Sequence, residues 1–158
     1  GSTCSTPCMT IDILPTLVEI TGGKKPTREI DGVSILPQLT HGDDAPDPHQ
    51  ALFFWYRKAE LQAIRMGRWK LHLPHGYRSL QGRPAGNNGQ PAKYTYNIPI
   101  ELSLFDLDTD PAETTNLADS NPEIIARMLD LAAEARTQLG DSLTGHEGVG
   151  VRKPRRVE

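Results

Sequence analysis

Leu61-Gln-Ala-Ile-Arg-Met-Gly-Arg-Trp-Lys-Leu-His-Leu73 is the stretch that decides how this chain folds. Two strand-like runs flank Gly67-Arg68. After the glycine the pattern alternates, with Trp69, Leu71 and Leu73 on one face and Lys70 and His72 on the other. So short a link joins only antiparallel neighbours. Upstream, Ala51 to Tyr56 is a compact apolar run, and its aromatics Phe53-Phe54-Trp55-Tyr56 read as sheet core. Downstream, Leu102, Leu104 and Phe105 to Leu107 supply a last strand. The pattern predicts an α+β fold, a small antiparallel sheet of about four strands.

A helix after residue 120 supplies the cover for that sheet. Asn121 is placed to cap it, Pro122 suits the first helical position, and Glu123 complements the positive end. Ile124, Met128, Leu131, Ala132, Ala135 and Leu139 then recur on one face, and Gly140 stops it. A second amphipathic helix is predicted from about Asp12 to Thr21, with Leu14, Leu17 and Val18 on its face. Pro15 confines its start to Thr10 or Asp12, and Gly22-Gly23 ends it. Asp31-Gly32 reads as a turn, Val33 to Leu39 as a short apolar segment, and His41 to Gln50 as a surface loop. Between Pro74 and Pro99 periodicity vanishes among glycines and prolines, which reads as a long loop of the kind that is usually functional or disordered.

Bulk composition narrows the function classes. Glycine and proline are abundant (14 and 13 residues), and only 37 % of the chain is hydrophobic. That suits a loop-rich fold, or a piece whose apolar surface is covered by something else. A formal charge of -3 gives no electrostatic case for nucleic acid as a partner of the whole chain. No run approaches the roughly 20 apolar residues that span a bilayer, so no membrane helix is expected. Cys4 and Cys8 are too few for a disulfide scaffold or a four-ligand zinc site, and both are read as free thiols. Gly1-Ser2 looks like a cloning or protease scar. His41, His49 and His146 lie in loops with no ligand spacing around them and are read as surface histidines.

Three segments, in order, resemble the C-terminal portion of the sulfatase family, within the alkaline-phosphatase-like superfamily. They are Thr10-Ile-Asp-Ile-Leu-Pro-Thr-Leu-Val-Glu-Ile-Thr-Gly22 with Asp31-Gly-Val-Ser-Ile-Leu-Pro37, then Ala63-Ile-Arg-Met-Gly-Arg-Trp-Lys-Leu71, then Glu101-Leu-Ser-Leu-Phe-Asp-Leu-Asp-Thr-Asp-Pro-Ala-Glu-Thr-Thr-Asn-Leu117. The resemblance implies a layout in which 1–9 is scar and linker and 10–40 is a terminal helical segment of an α/β core lying outside this chain. In that layout 50–140 is a sheet-plus-helix subdomain and 141–158 a polar, basic tail.

The activity the resemblance implies is hydrolysis of a sulfate ester. It also implies a formylglycine, made from the cysteine of a C-x-P/A-S-R motif, and a calcium ion held by Asp and Asn side chains. Positive groups would stabilise the charge that builds on the sulfate oxygens in the transition state. No catalytic or metal-binding residue of that kind can be assigned here. In Cys4-Ser-Thr-Pro-Cys8 the proline comes one position late and Cys8 stands where arginine should. Gly86-Asn-Asn-Gly89 lacks the aspartate of the family's late metal motif and falls on the wrong side of Asp31. Calcium and formylglycine are therefore expected in the parent protein, which the resemblance implies is exported to a periplasmic, lysosomal or secreted location.

The expected partners are a missing N-terminal sulfatase domain and a sulfate-ester substrate. Candidate substrate-binding residues are His75, Tyr77 and Arg78, at the exit of the third strand with His72 nearby. The basic residues of the tail (Arg152, Lys153, Arg155, Arg156) could hold an anionic polymer. Two rival readings keep the same residues: the equivalent subdomain of a phosphonate monoester or phosphodiester hydrolase, and a non-catalytic binding module. The module predicts a self-sufficient surface. The sulfatase reading predicts that the helix near Asp12 to Thr21 lacks its partner.

Overall fold

The computed structural model describes residues 3–152, which divide between Gln50 and Ala51 into two units. In the first, a 3-10 turn (Thr10–Asp12) leads into α1 (Ile13–Ile20). Thr10 and Asp12 were the expected caps. Neither acts as one, because Asp12 already has helical dihedrals and its carboxylate is engaged elsewhere. Its Oδ2 accepts the Met9 N–H at 2.7 Å and its Oδ1 the Val33 N–H at 3.1 Å. Thr16 donates to the Asp12 carbonyl at 2.6 Å and accepts the Ile35 N–H at 3.0 Å. Gly32 runs so close to this site that a Cβ there would meet the Ile11 carbonyl oxygen at 2.0 Å. The segment read as apolar and cut by Pro37 contains a short helix, α2 (Leu36–His41), with Pro37 in its first turn.

His49 is corrected from a surface histidine. Its Nε2 lies 2.9 and 3.0 Å from the two Asp12 oxygens, and its side chain is largely covered. The cause is Asp12, a fully buried carboxylate that needs polar partners on both oxygens. Burial alone would raise the Asp12 carboxyl, but the bond from His49 and those from Met9 and Val33 outweigh it and hold the group below its usual range.

The second unit is the predicted α+β fold. A four-stranded antiparallel sheet runs β1-β2-β3-β6, with β1 Leu52–Tyr56, β2 Glu60–Met66, β3 Trp69–His72 and β6 Ser103–Asp106. Its register sets Phe53, Ile64, Leu71 and Leu104 side by side, and Ile64, Leu71 and Leu104 are fully buried. The final helix, α3 (Pro122–Leu139), lays Met128, Leu131, Ala132 and Ala135 into the same core. Leu139, expected on that face, is exposed at the helix end. Asn121 does not cap α3 through its side chain either. Its Nδ2 donates back to the Leu117 carbonyl at 3.0 Å, across the 3-10 turn Ala118–Ser120.

Three further expectations change. Phe54 and Tyr56, expected in the core, are both exposed, because strand alternation turns them away from Phe53 and Trp55. The segment 74–99 is no structureless loop: β4 (His75–Ser79) and β5 (Thr95–Ile100) pair as a two-stranded antiparallel hairpin. Its composition hid it, since Gly76 and Pro99 sit opposite each other in register and no apolar alternation marks either strand. The start of the tail is structural too. Asp141 is buried, accepting the Leu61 and Leu143 N–H groups and the Arg136 Nε–H. The chain then turns back along α3, with Val149 and Gly150 donating to the Thr137 and Gln138 carbonyls. Gly148 passes so near Leu139 that a Cβ would sit 2.3 Å from its carbonyl carbon. The basic positions Lys153, Arg155 and Arg156 lie outside the described residues.

Candidate functional site

Polar chemistry in the second unit concentrates on the sheet face turned away from α3 and on the β4–β5 hairpin. Because Leu71 points into the core, Lys70 and His72 must point the other way. Glu113 reaches both of them. Its Oε2 lies 2.6 Å from His72 Nε2, and its Oε1 receives the Lys70 ammonium. Glu113 comes from the Asp110–Asn116 turn, which Asp110 shapes by accepting the Thr114 and Thr115 N–H groups at 2.7 and 2.8 Å. Asn116 fastens that turn to the sheet by accepting the Leu104 N–H at 3.0 Å.

Titration in this cluster follows from burial. Burial pushes the His72 imidazole below its ordinary value, against the opposing pull of Glu113. Burial would raise Glu113, but Lys70 and His72 outweigh that and hold it ionised. A carboxylate can only accept, so His72 carries its proton on Nε2. Its buried Nδ1 then has a bare lone pair and no hydrogen-bond partner among the described residues. At the edge of the same sheet, the Arg68 guanidinium grips Asp106, with Nε donating at 2.7 Å, and holds that carboxyl down at about 2.

His75 belongs to the Glu113 cluster. Its ring stacks on His72 with centroids 5.7 Å apart and planes 17° apart, and its Nδ1–H donates to the Leu73 carbonyl at 2.6 Å. Tyr77, two residues on, shares its strand face and is exposed. Arg78 lies on the opposite face, where its guanidinium covers the Tyr94 ring at 4.9 Å from the centroid. Tyr94 in turn lies 6.4 Å from Tyr96. The hairpin thus carries all three candidate residues but divides them, His75 inward and Arg78 outward.

Sequence reasoning missed Glu113, Tyr94 and Tyr96. One signal for Glu113 was available. The run from Leu61 to Ile100 contains no Asp or Glu, so cations on β3 had to find their carboxylates elsewhere in the chain.

The carboxylates present do not suit a calcium centre. Asp12 and Glu113 already spend both oxygens on protein partners, and no group of three or more His, Cys, Asp or Glu among the described residues could hold a metal ion. Cys4 and Cys8 are free and exposed. No helix among the described residues is long and apolar enough to cross a membrane.

Comparison with known proteins places this arrangement. A family profile for the C-terminal region of aryl-sulfatase matches residues 47–148, more than half of the chain. Human arylsulfatase D is 33 % identical over 159 aligned positions, covering 88 % of this chain and 26 % of that protein. A sulfatase of Formosa agariphila is 32 % identical, covering 82 % of this chain and 22 % of that one. Bovine arylsulfatase A is 31 % identical over 75 % of this chain and 24 % of its own length. The chain therefore spans about a quarter of the curated relatives it matches.

Solved structures share the fold at lower identity. One, determined with its substrate D-glucosamine-2-N,6-O-disulfate, superposes on 87 % of this chain and 25 % of its own with a TM-score of 0.58 at 22 % identity. A sulfatase from Pseudoalteromonas sp. gives a TM-score of 0.50 at 19 % identity, over 79 % of this chain and 25 % of its own. With its sheet, its final helix and the Asp110–Asn116 turn inside the matched region, this chain belongs to the sulfatase family as a C-terminal region.

Proposed function

We propose that this chain is the C-terminal part of a sulfuric ester hydrolase whose bond-breaking groups lie on an N-terminal domain, and that it completes the fold and borders the substrate cleft. One observation carries the reading. Along the 3-10 turn and α1 the buried side chains are Asp12, Pro15 and Thr16, whereas Ile11, Ile13, Leu14, Leu17 and Ile20 are exposed, Leu17 at 53 %. A row of branched apolar side chains facing water is unfavourable by about 25 cal/mol per Å² and marks a surface meant to be covered. An α/β core contributed by the rest of a protein about four times as long would cover it. A self-sufficient binding module has no use for such a face.

In this reading residues 10–40 close the catalytic domain and 50–140 form the flanking subdomain. Calcium and formylglycine would reside upstream and supply the electrophilic and nucleophilic chemistry. The residues of this chain would act on the ester's organic part: Arg78 pairs with anionic groups, Tyr77 packs on the ring, and His75 is oriented by its bond to Leu73. The test compares the isolated chain with the full-length protein on an aryl sulfate. Turnover is expected only in the latter, and turnover by the isolated chain overturns the reading. Replacing His75 and Arg78 by alanine in the full-length protein is expected to lower kcat/KM by about tenfold for at least one sulfate ester. Unchanged kinetics across several esters would remove these residues from the cleft.

A further inference from the structure

The run from Leu61 to Ile100 holds six Lys and Arg residues and no Asp or Glu, in a chain whose net charge is -3. Two of those cations are spoken for, Arg68 by Asp106 and Lys70 by Glu113. Arg65 turns back to the Gly67 carbonyl. The other three, Arg78, Arg83 and Lys93, all stand on or beside the β4–β5 hairpin, and none forms an ion pair among the described residues. This is a local positive arm on an acidic molecule.

Aromatic rings accompany the charge. Tyr94 and Tyr96 lie side by side, tilted at 53°, with Tyr96 58 % exposed and Arg78 spread over Tyr94. The arrangement is built by the backbone. Tyr77 pairs with Ile98 but Ser79 pairs with Thr95, so Tyr96 and Asn97 together oppose Arg78 in a β-bulge. Asn97 takes the positive φ of 56° that the bulge requires, and its Oδ1 accepts a bond from Arg57 at 3.2 Å. Arg83 is pinned across the hairpin, its guanidinium donating to the Leu80 carbonyl and to Thr95 Oγ1. Ordering costs at these side chains are thus partly met before any ligand arrives.

We infer that the outer face of this hairpin, Arg78 with Tyr94, Tyr96 and Lys93, is a binding surface for sulfated polysaccharide. The choice of sulfate rests on the hydrolase reading above. Electron-rich tyrosine faces attract the polarised C–H groups of a sugar ring. A guanidinium already stacked on one ring offers its N–H fork to a sulfate on that sugar. Three unpaired cations suit a few sulfates, while the negative remainder of the molecule disfavours indiscriminate attachment to polyanions.

Heparin is the probe, with unsulfated dextran and a single-stranded RNA as controls, using the whole chain at low and moderate salt. Salt-sensitive binding to heparin, weaker binding to RNA and none to dextran are expected. Arg78→Ala and Tyr94→Ala should each weaken heparin binding by about fivefold, and less than additively together because they form one stack. Arg127→Ala, on exposed α3 surface, should leave binding unchanged, and circular dichroism should match for every variant. Equal binding of RNA, an equal loss in Arg127→Ala, or wild-type affinity in Arg78→Ala/Tyr94→Ala would overturn the proposal. Aryl sulfate turnover by the full-length protein is a separate readout of the hydrolase reading, so turnover without heparin binding sinks the hairpin proposal and leaves the hydrolase reading standing.

Discussion

Helices α1 and α3 start from similar instructions and end in opposite environments. Both carry a proline near the start, an apolar face at helical spacing, and a glycine at the end. In α3 the apolar face is buried, with Met128 and Ala132 fully covered by the sheet. Through the 3-10 turn and α1 the covered side is Asp12, Pro15 and Thr16, with Asp12 and Thr16 bonded to the 33–35 segment, while Ile13, Leu14, Leu17 and Ile20 point outward. Amphipathicity therefore states that a face requires cover, and says nothing about which part of a protein provides it.

The sharpest way to break this contrast is a matched pair of truncations. Leu71→Ala should cost about 2–5 kcal/mol of unfolding free energy, since it empties a fully buried site between β2, β6 and α3. Leu17→Ala should cost less than about 0.5 kcal/mol in the isolated chain while reducing self-association. Urea unfolding and sedimentation measure both. A large penalty at Leu17 would mean that the α1 face already has its cover.

Next in size is Asp141→Ala, which strips partners from two N–H groups and from Arg136. A loss of about 3 kcal/mol is expected, because the buried Leu61 N–H, the part-buried Leu143 N–H and the partly covered Arg136 guanidinium are left unpaired. A loss below about 0.5 kcal/mol would return the region after Gly140 to the status of a tail.

Smaller again is Glu113→Gln, expected to cost about 1–2 kcal/mol by removing the carboxylate shared by Lys70 and His72. The cluster also sets a pH dependence. His72 titrates below 6.5 when folded, so the unfolded chain binds the proton more readily in that range. Stability is fully present above pH 6.5 and declines as pH falls through the folded value. His72→Gln should flatten that decline, with a stability-versus-pH series as the readout. Asp106 behaves alike at lower pH: its contribution is present above 3.8 and fades as pH falls toward about 2.

The smallest effect belongs to the hairpin. Tyr96→Ala should shift the melting temperature hardly at all, since an exposed ring on a two-stranded sheet contributes less than about 0.5 kcal/mol. A large shift would turn that ring from a surface for ligands into part of the packing.

Legibility followed periodicity. Leu61 to Leu73 alternates or runs apolar, so β2, the turn and β3 were readable, and α3 declared itself through Pro122, its face and Gly140. The β4–β5 hairpin escaped because Gly76, Pro99 and two exposed tyrosines carry no burial pattern, and its ladder of backbone bonds leaves little mark on residue choice. His75, Tyr77 and Arg78 were found as chemistry in a segment without pattern. Their division between two faces needed the strand itself.

What the amino-acid order alone determined is therefore the four-stranded sheet, its covering helix and the family, since each depends on local spacing or on contiguous motifs. Only the tertiary structure decided that His49 meets Asp12, that Glu113 joins Lys70 and His72, and that Asp141 ties α3 to β2. Those pairings link residues tens of positions apart. They form because a buried carboxylate must find donors wherever the chain brings them, and no local pattern records where that is.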